Sequence, residues 1–241
     1  MIKKLELTKN DDKAFQEINF DKNKIENLNY NYKNLLIPKP WGNEYLFYSS
    51  KELSIWILKI FKNKKTSLHC HTDKKTSLIV LEGKAKLNNL NGSIDLNIGD
   101  CTIIEKKVFH RTSAEFNEDI LIMEIETPTN KDDIVRLEDE YNRSNSGYES
   151  KNLYIDVKGK KNLNYLKVLE KNLILGQCEL SKFKDLKNLN DEMLFCPIKF
   201  KDYSLSNKIK LGEVYSKKYI ENNIEEIANI EKSLVIQKKS S

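Results

Sequence analysis

Histidine is scarce in this chain, three residues in 241, and glycine (eight), proline (four), methionine (three) and tryptophan (two) are sparse too. So little glycine and proline excludes collagen-like and linker-type low-complexity architectures. The four cysteines, Cys70, Cys101, Cys178 and Cys196, form no CxxC pair. That excludes zinc-knuckle and thioredoxin-type spacings and makes reduced thiols in a cytosolic setting the expectation. No window approaches the roughly twenty apolar residues of a membrane span, and MIKKLELTKNDDK lacks the apolar stretch of a secretory signal. A soluble, cytoplasmic protein with no membrane partner is therefore expected.

What is abundant is charge and asparagine. Forty-one Lys and Arg face 36 Asp and Glu, a net charge of +5. The lysines alternate with acids along the whole chain, and no basic stripe with interleaved aromatics stands out. Nucleic acid is thus not an expected partner, while a small anionic ligand is mildly favoured. An apolar fraction of 39% still suffices for a core in one or two domains.

Residues 1–37 are polar, with apolar touches at Ile18, Phe20 and Leu35-Leu36-Ile37, and read as an extended arm with one short helix. PKPWGNEYLFYSS follows; Pro38 and Pro40 favour extended backbone, and Trp41, Tyr45, Phe47 and Tyr48 are candidate core plugs. From residue 53 the pattern is β throughout. LSIWILKIF is the near-continuous apolar run of a strand buried on both faces. Asn63 suits a turn with positive φ, and TSLHCH, TSLIVL, KAKLNNL, SIDLNI, CTIIE, VFHRTSA and DILIMEIE are further strands, with a hairpin at Asn91-Gly92. Short strands at this spacing mean a sandwich or barrel. After Thr127-Pro128, NKDDIVRLEDEY places Ile134, Leu137 and Tyr141 at helical spacing with Asn130 as cap. RSNSGYES is the linker candidate. Residues 151–241 read as a second β-rich unit, with strands NLYIDV, NLILGQCEL, EMLFCPIKF, GEVYS and KSLVIQK and no histidine.

All three histidines fall in one pattern. On a strand, residues i and i+2 share a face, so His69 and His71 present two imidazoles together, and His110 on a return strand completes a three-nitrogen metal site. Here the sequence resembles the cupins. Their first motif, G-x5-H-x-H-x4-E-x6-G, falls on Asn63 (for the opening Gly), His69, His71, Thr76 and Gly83, and the second on Gly99 with His110 eleven positions on. The resemblance covers residues 38–127. Lys39-Pro40-Trp41-Gly42, Lys74 and His110-Arg111 are similar to the mannose-6-phosphate isomerase domain of the bifunctional guanylyltransferase type. The chain departs from the family at Thr76, where the carboxylate ligand is expected, and at Glu105 and Lys107, where Pro and Gly are usual.

The resemblance implies an all-β, jelly-roll cupin barrel over 38–127, preceded by the arm (1–37), followed by a helix and linker (128–150) and the second β unit (151–241), the latter possible as a degenerate cupin. It implies a divalent metal (Zn, Mn, Fe or Ni) on His69, His71 and His110, and a phosphorylated or nucleotide-linked sugar as substrate for isomerase- or epimerase-like chemistry. Lys74 and Arg111 are candidate donors to its anionic group, with Thr76 a further substrate-binding candidate. Glu44 and Glu105 are acid–base candidates by their proximity to motif positions. Family members with three histidines and no acid include Fe(II) dioxygenases, so that chemistry stands as an alternative, beside a non-catalytic sugar- or metal-binding module. Cupins commonly dimerise by strand exchange, which makes a homodimer through the N-terminal arm the expected assembly.

Overall fold

Alternating and continuous apolar runs assemble into three sheets. The computed structural model describes residues 1–18, 31–143, 154–156, 172–205 and 208–239. In chain order, β1 (Ile2–Leu5) and helix α1 (Lys9–Glu17) precede β2 (Leu35–Lys39), β3 (Gly42–Ser49), β4 (Ser54–Ile60), β5 (Leu68–Cys70) and β6 (Lys75–Glu82). Then come β7 (Ala85–Asn89), β8 (Gly92–Leu96), β9 (Cys101–Ile104), β10 (His110–Ser113), β11 (Ile120–Thr127), β12 (Val135–Glu138) and β13 (Ile155–Asp156). The C-terminal part holds β14 (Leu173–Leu175), β15 (Cys178–Lys182), β16 (Leu194–Phe200), β17 (Tyr215–Ser216), short helices α2 (Lys217–Glu221) and α3 (Ile224–Ile227), and β18 (Ile230–Lys238).

An eight-stranded sheet in the order β1-β9-β6-β11-β4-β3-β2-β13 faces a five-stranded sheet, β12-β5-β10-β7-β8. Between them Leu46, Trp56, Leu58, Leu78, Val80, Leu87, Leu96 and Ile122 form the barrel interior. A third sheet, β14-β15-β18-β16-β17, lies on the outer face of the first. There Phe47, Ile55, Ile57, Ile79, Leu81, Met123 and Ile125 share one core with Leu175, Leu180, Leu194, Cys196, Leu234 and Ile236. This explains the unbroken apolar runs: each of these strands is covered on both faces. Strands β14 to β18 thus form an outer cover of the barrel sheet. The contact is close enough to demand glycine: a Cβ on Gly176 (φ +57) would sit 2.7 Å from the carbonyl oxygen of Leu81.

Strand alternation also sorts the polar residues. Along β11, Leu121, Met123 and Ile125 face the outer core, and Ile120 and Ile122 the interior. Glu124 and Glu126 continue the interior parity, both buried. Lys74 and Thr76 on the β6 side and Glu44 on β3 share that face, also buried. Asn63 takes φ 59 as its turn requires, and β7 and β8 form the expected hairpin, with Leu90 and Asn91 between paired Asn89 and Gly92.

One expectation changes. The helix expected from Asn130 to Tyr141 is instead a turn followed by β12, which pairs with β5. Val135 and Leu137, two apart, pack on Leu68, Cys70 and Phe109, so a period of two wins over the helical spacing once the β5 edge is available. In the described part of the arm, the extended stretch is β1, parallel to β9 of the same chain, and the short helix is α1, with Ala14, Phe15 and Ile18 packed against the cluster of Leu68 and Phe109. The Ile155–Asp156 part of NLYIDV pairs with β2, on the barrel sheet. Beyond Arg143, the linker candidate lies outside the described residues. The four cysteines are free and buried, and among the described residues no helix is long and apolar enough to cross a membrane.

Candidate metal centre

His69 on β5 and His110 on β10 are register partners across the antiparallel pair, and His71 follows β5 directly. Their ring centroids lie 4.5 Å (His69–His110), 5.0 Å (His69–His71) and 5.4 Å (His71–His110) apart. One ring nitrogen from each lies within 4.8 Å of the others, and no other such group of His, Cys, Asp or Glu occurs among the described residues.

Each ring is oriented by a backbone carbonyl on its far side. His69 Nδ1 is 2.9 Å from Ser67 O, His71 Nδ1 2.6 Å from Asp133 O, and His110 Nδ1 3.0 Å from Val108 O. A carbonyl only accepts, so each Nδ1 carries the proton and each Nε2 presents a lone pair. Burial pushes all three pKa values down, that of His110 to about 4, so the rings are neutral. The Nε2 atoms of His71 and His110 are buried with no hydrogen-bond partner. Buried lone pairs without partners are costly, and two such atoms converging with the ring nitrogen of His69 fit a divalent cation, which needs neutral imidazole donors. Thr76, at the family's carboxylate position, is buried with its Oγ1 also unpartnered. The donor set is three nitrogens without an acid.

Two buried aspartates brace this centre. The Asp133 carboxylate accepts from Thr72 N and Oγ1 (both 2.7 Å), Asp73 N (2.9 Å) and Lys74 N (3.1 Å), fixing the turn after His71. Asp11 of α1 caps its own helix through Thr8 and accepts from Phe109 N at 2.9 Å, one residue before His110.

The histidines open into a cleft with a cavity volume of about 60 Å³, whose wall includes Trp41, Leu58, Leu78, Glu44, Glu124 and Glu126. Three lysines and three glutamates interlock there. Lys74 Nζ is 2.6 Å from Glu126 and donates to Asn130 O at 3.0 Å. Lys131 lies 3.4 Å from Glu44, 3.5 Å from Glu126 and 3.6 Å from Glu124, and 4.1 Å from the Trp56 ring centre. Lys39 is 3.5 Å from Glu44. Burial would raise Glu126, but Lys131 and Lys74 outweigh it and hold its pKa low. Glu124 is different: burial pushes it up to about 7 against the pull of Lys131, with Glu126 adding repulsion. A carboxyl balanced between its two states near neutral pH can both give and take a proton.

Of the residues singled out from sequence, His69, His71, His110, Lys74 and Glu44 line this one cleft. Thr76 lies on the same inward face, between Lys74 and Leu78. Glu105 is elsewhere: it pairs with Lys4 (3.1 Å) and Lys75 (2.9 Å) on the outer side, because alternation along β9 turns it away from the interior. Arg111, next to an inward histidine, necessarily points outward and pairs with Glu138 at 3.1 Å. Glu124, Glu126, Lys131, Arg136 and Arg143 line the cleft without having been singled out. The one available signal was DILIMEIE, where glutamate replaces an apolar residue at two successive inward positions.

The family model described as mannose-6-phosphate isomerase C-terminal matches residues 27–139. Among solved structures, the chain is similar to a sugar phosphate isomerase from a cupin superfamily of Silicibacter pomeroyi (15% identity, 46% of this chain and 76% of that one, TM-score 0.35). It is also similar to KdgF from a Halomonas species (17%, 39% and 86%, TM-score 0.37), and to the capsular polysaccharide assembling protein CapF from Staphylococcus aureus (16%, 43% and 34%, TM-score 0.39). No curated protein matches the chain.

Proposed function

With residues 27–139 matching the family model described as mannose-6-phosphate isomerase C-terminal, we propose that the protein is a metal-dependent enzyme that moves a proton on a phosphorylated or nucleotide-linked sugar, as in isomerisation or epimerisation. The observation that carries this reading is the meeting, in one cleft, of three convergent neutral imidazoles and a buried carboxyl, Glu124, whose pKa is pushed up to about 7. His69, His71 and His110 would hold the metal, which when bound supplies Lewis-acid polarisation of a carbonyl or hydroxyl oxygen. Glu124 takes the proton from substrate carbon and returns it. Lys131 and Lys74 keep Glu126 ionised, and that neighbouring negative charge favours the protonated form of Glu124. Trp41, Leu58 and Leu78 limit water at the reacting atoms.

The first test is elemental analysis of wild-type protein beside His71→Ala, followed by assay of sugar-phosphate interconversion. Stoichiometric metal lost in the variant, with turnover abolished in Glu124→Gln at unchanged metal content, is the expected outcome. No metal in either protein after reconstitution would sink the reading and leave a binding module. A second reading, Fe(II) and dioxygen chemistry, is favoured by the missing acid at Thr76. Iron occupancy with substrate-dependent oxygen uptake would select it.

A further inference from the structure

The cavity at the histidines, about 60 Å³, has room for on the order of four water molecules, whereas sites for small organic ligands measure roughly 300 Å³ or more. Some part of the wall must move before such a ligand enters. Lys131 and Ile134 bring the crossover between β11 and β12 into that wall. The stretch Pro128-Thr129-Asn130-Lys131-Asp132 has no large apolar side chain to anchor it. Both of its flanks are pinned. Thr127 is the register partner of Lys75 on β6 and abuts Gly212 of the outer cover, where a Cβ would collide with its hydroxyl. Asp133 is buried, its carboxylate committed to Thr72, Asp73 and Lys74. Between these points the hydrogen bonds of the stretch are local: Asp132 N donates to Asn130 Oδ1 at 3.1 Å and Asp133 N to Asn130 O at 3.4 Å. What reaches across the cleft is the Lys131 side chain, 8% exposed. Its ammonium lies within 3.6 Å of Glu44, Glu124 and Glu126 and 4.1 Å from the Trp56 ring centre. Lys74 adds a second tie, donating to Asn130 O at 3.0 Å.

We infer that Lys131 determines access to this cleft: it latches residues 128–132 across the cavity, and a ligand larger than a few water molecules enters when that latch is released. The inference rests on the proposed function only for what the ligand is. An ammonium set among three carboxylates and an aromatic face is held firmly while water is excluded. The contact is nevertheless polar, so on opening its partners regain hydration and little apolar surface meets water. A stretch with local hydrogen bonds and no apolar anchor opens more readily than the sheets on either side. The other cleft lysines cannot serve this way. Lys39 ends β2 in register with Gly42, and Lys74 is tied through its amide to Asp133. With Thr127 and Asp133 fixed, residues 128–132 can swing while the Asp133 carbonyl keeps its hold on His71. Opening therefore leaves the three imidazoles in place.

All three histidines of the chain line the cleft, so their modification by diethyl pyrocarbonate reads access to this cavity. The imidazole lone pair attacks one carbonyl carbon of the reagent, and ethyl carbonate leaves as ethanol and carbon dioxide; the ethoxycarbonyl-imidazole is followed by its ultraviolet absorbance. Metal-free wild type is compared with Lys131→Met, Glu44→Gln and Glu138→Gln, with global unfolding rates from circular dichroism and amide hydrogen exchange by mass spectrometry. In wild type, modification is expected to be at least about tenfold slower than in the urea-unfolded chain, yet faster than global unfolding. Lys131→Met keeps the apolar stem and removes the ammonium, and modification about tenfold or more faster is expected. Glu44→Gln removes one of three carboxylates, and about threefold or more is expected. In both, faster amide exchange is confined to residues 128–134. Glu138→Gln alters a pair with Arg111 outside the cleft and stays within about twofold of wild type. Glu44→Gln decides the matter if Lys131→Met fails to fold. Native histidines modified as fast as unfolded ones, or no faster in the variants than in wild type, would overturn the inference. An acceleration matched by faster global unfolding would also overturn it, as would exchange gains centred outside residues 128–134. A gated cleft in a protein without metal or turnover would retain the latch and reject the enzymatic reading. Metal-dependent turnover with freely modified histidines would do the reverse.

Discussion

His71 donates its Nδ1 proton to the backbone carbonyl of Asp133, 2.6 Å away, while the carboxylate of the same residue accepts from Thr72, Asp73 and Lys74. One residue from the segment before β12 therefore sets both the tautomer of a candidate ligand and the turn that follows it. Asp133→Ala removes four hydrogen bonds to a fully buried carboxylate and leaves their donors unsatisfied. A loss of about 3 kcal/mol in urea unfolding is expected. Because the turn also orients His71, metal affinity should fall roughly tenfold or more. Unchanged metal affinity in a folded Asp133→Ala protein would show that the turn does not position the ring.

The buried histidines and Glu124 make opposite demands on pH. A histidine whose folded pKa is depressed contributes stability above its unfolded value near 6.5, and that contribution is lost as pH falls towards the folded value, about 4 for His110. Glu124, raised from 4.5 to about 7, contributes below 4.5 and loses that contribution as pH rises through 7. Three histidines against one carboxyl leave the histidine term dominant. Metal-free protein is therefore expected to lose stability as pH falls from 6.5 towards 4. Glu124→Gln should make that loss steeper, because it removes the opposing term. A shallower pH dependence in Glu124→Gln, measured by denaturant titration across this range, would contradict the assignment of a raised Glu124.

The barrel was legible because its signals are local: strand alternation, turn residues such as Asn63, and the spacing of three histidines. The carbonyls that orient those histidines were not, since one comes from Asp133, 62 residues from His71. The Asn130–Tyr141 segment misled for a related reason. Its apolar residues fit both periods, and the edge of β5, distant in sequence, decided between them. Glu105 and Arg111 were drawn in by proximity to motif positions, which says nothing about which face of a strand a side chain occupies.

Thr76→Val separates packing from chemistry at the position where the family carries an acid. The Thr76 hydroxyl is buried without a hydrogen-bond partner, and an unmade buried hydrogen bond costs about 1–3 kcal/mol. An isosteric apolar side chain should therefore leave stability unchanged or raise it by up to about 1 kcal/mol. If the hydroxyl serves only as filler, metal affinity and turnover are unaffected. A fall in metal affinity without a fall in stability would instead identify Thr76 as part of the metal environment. A loss of stability beyond 1 kcal/mol, an order-of-magnitude threshold, would mean that the hydroxyl has a partner in solution.

The C-terminal sheet and the barrel share one apolar core, so they should unfold together, and Gly176 is the place to test it. It holds φ +57 in the β14–β15 hairpin, where the next residue, Gln177, donates its amide to Leu81 O at 2.8 Å. An added methyl group would meet that same backbone oxygen at 2.7 Å, and a strand carbonyl inside a sheet cannot step aside as a flexible side chain could. Gly176→Ala is expected to destabilise the protein by about 2 kcal/mol through strain and lost contact. Leu81 lies on β6, the strand whose inward face carries Thr76 and Leu78, so the loss should appear in one cooperative transition detected equally by tryptophan fluorescence and circular dichroism. Trp41 and Trp56 lie in the barrel interior and report its unfolding. If circular dichroism showed a separate early transition while the tryptophans stayed native, the outer sheet would be an independent unit and the shared core would not couple the two.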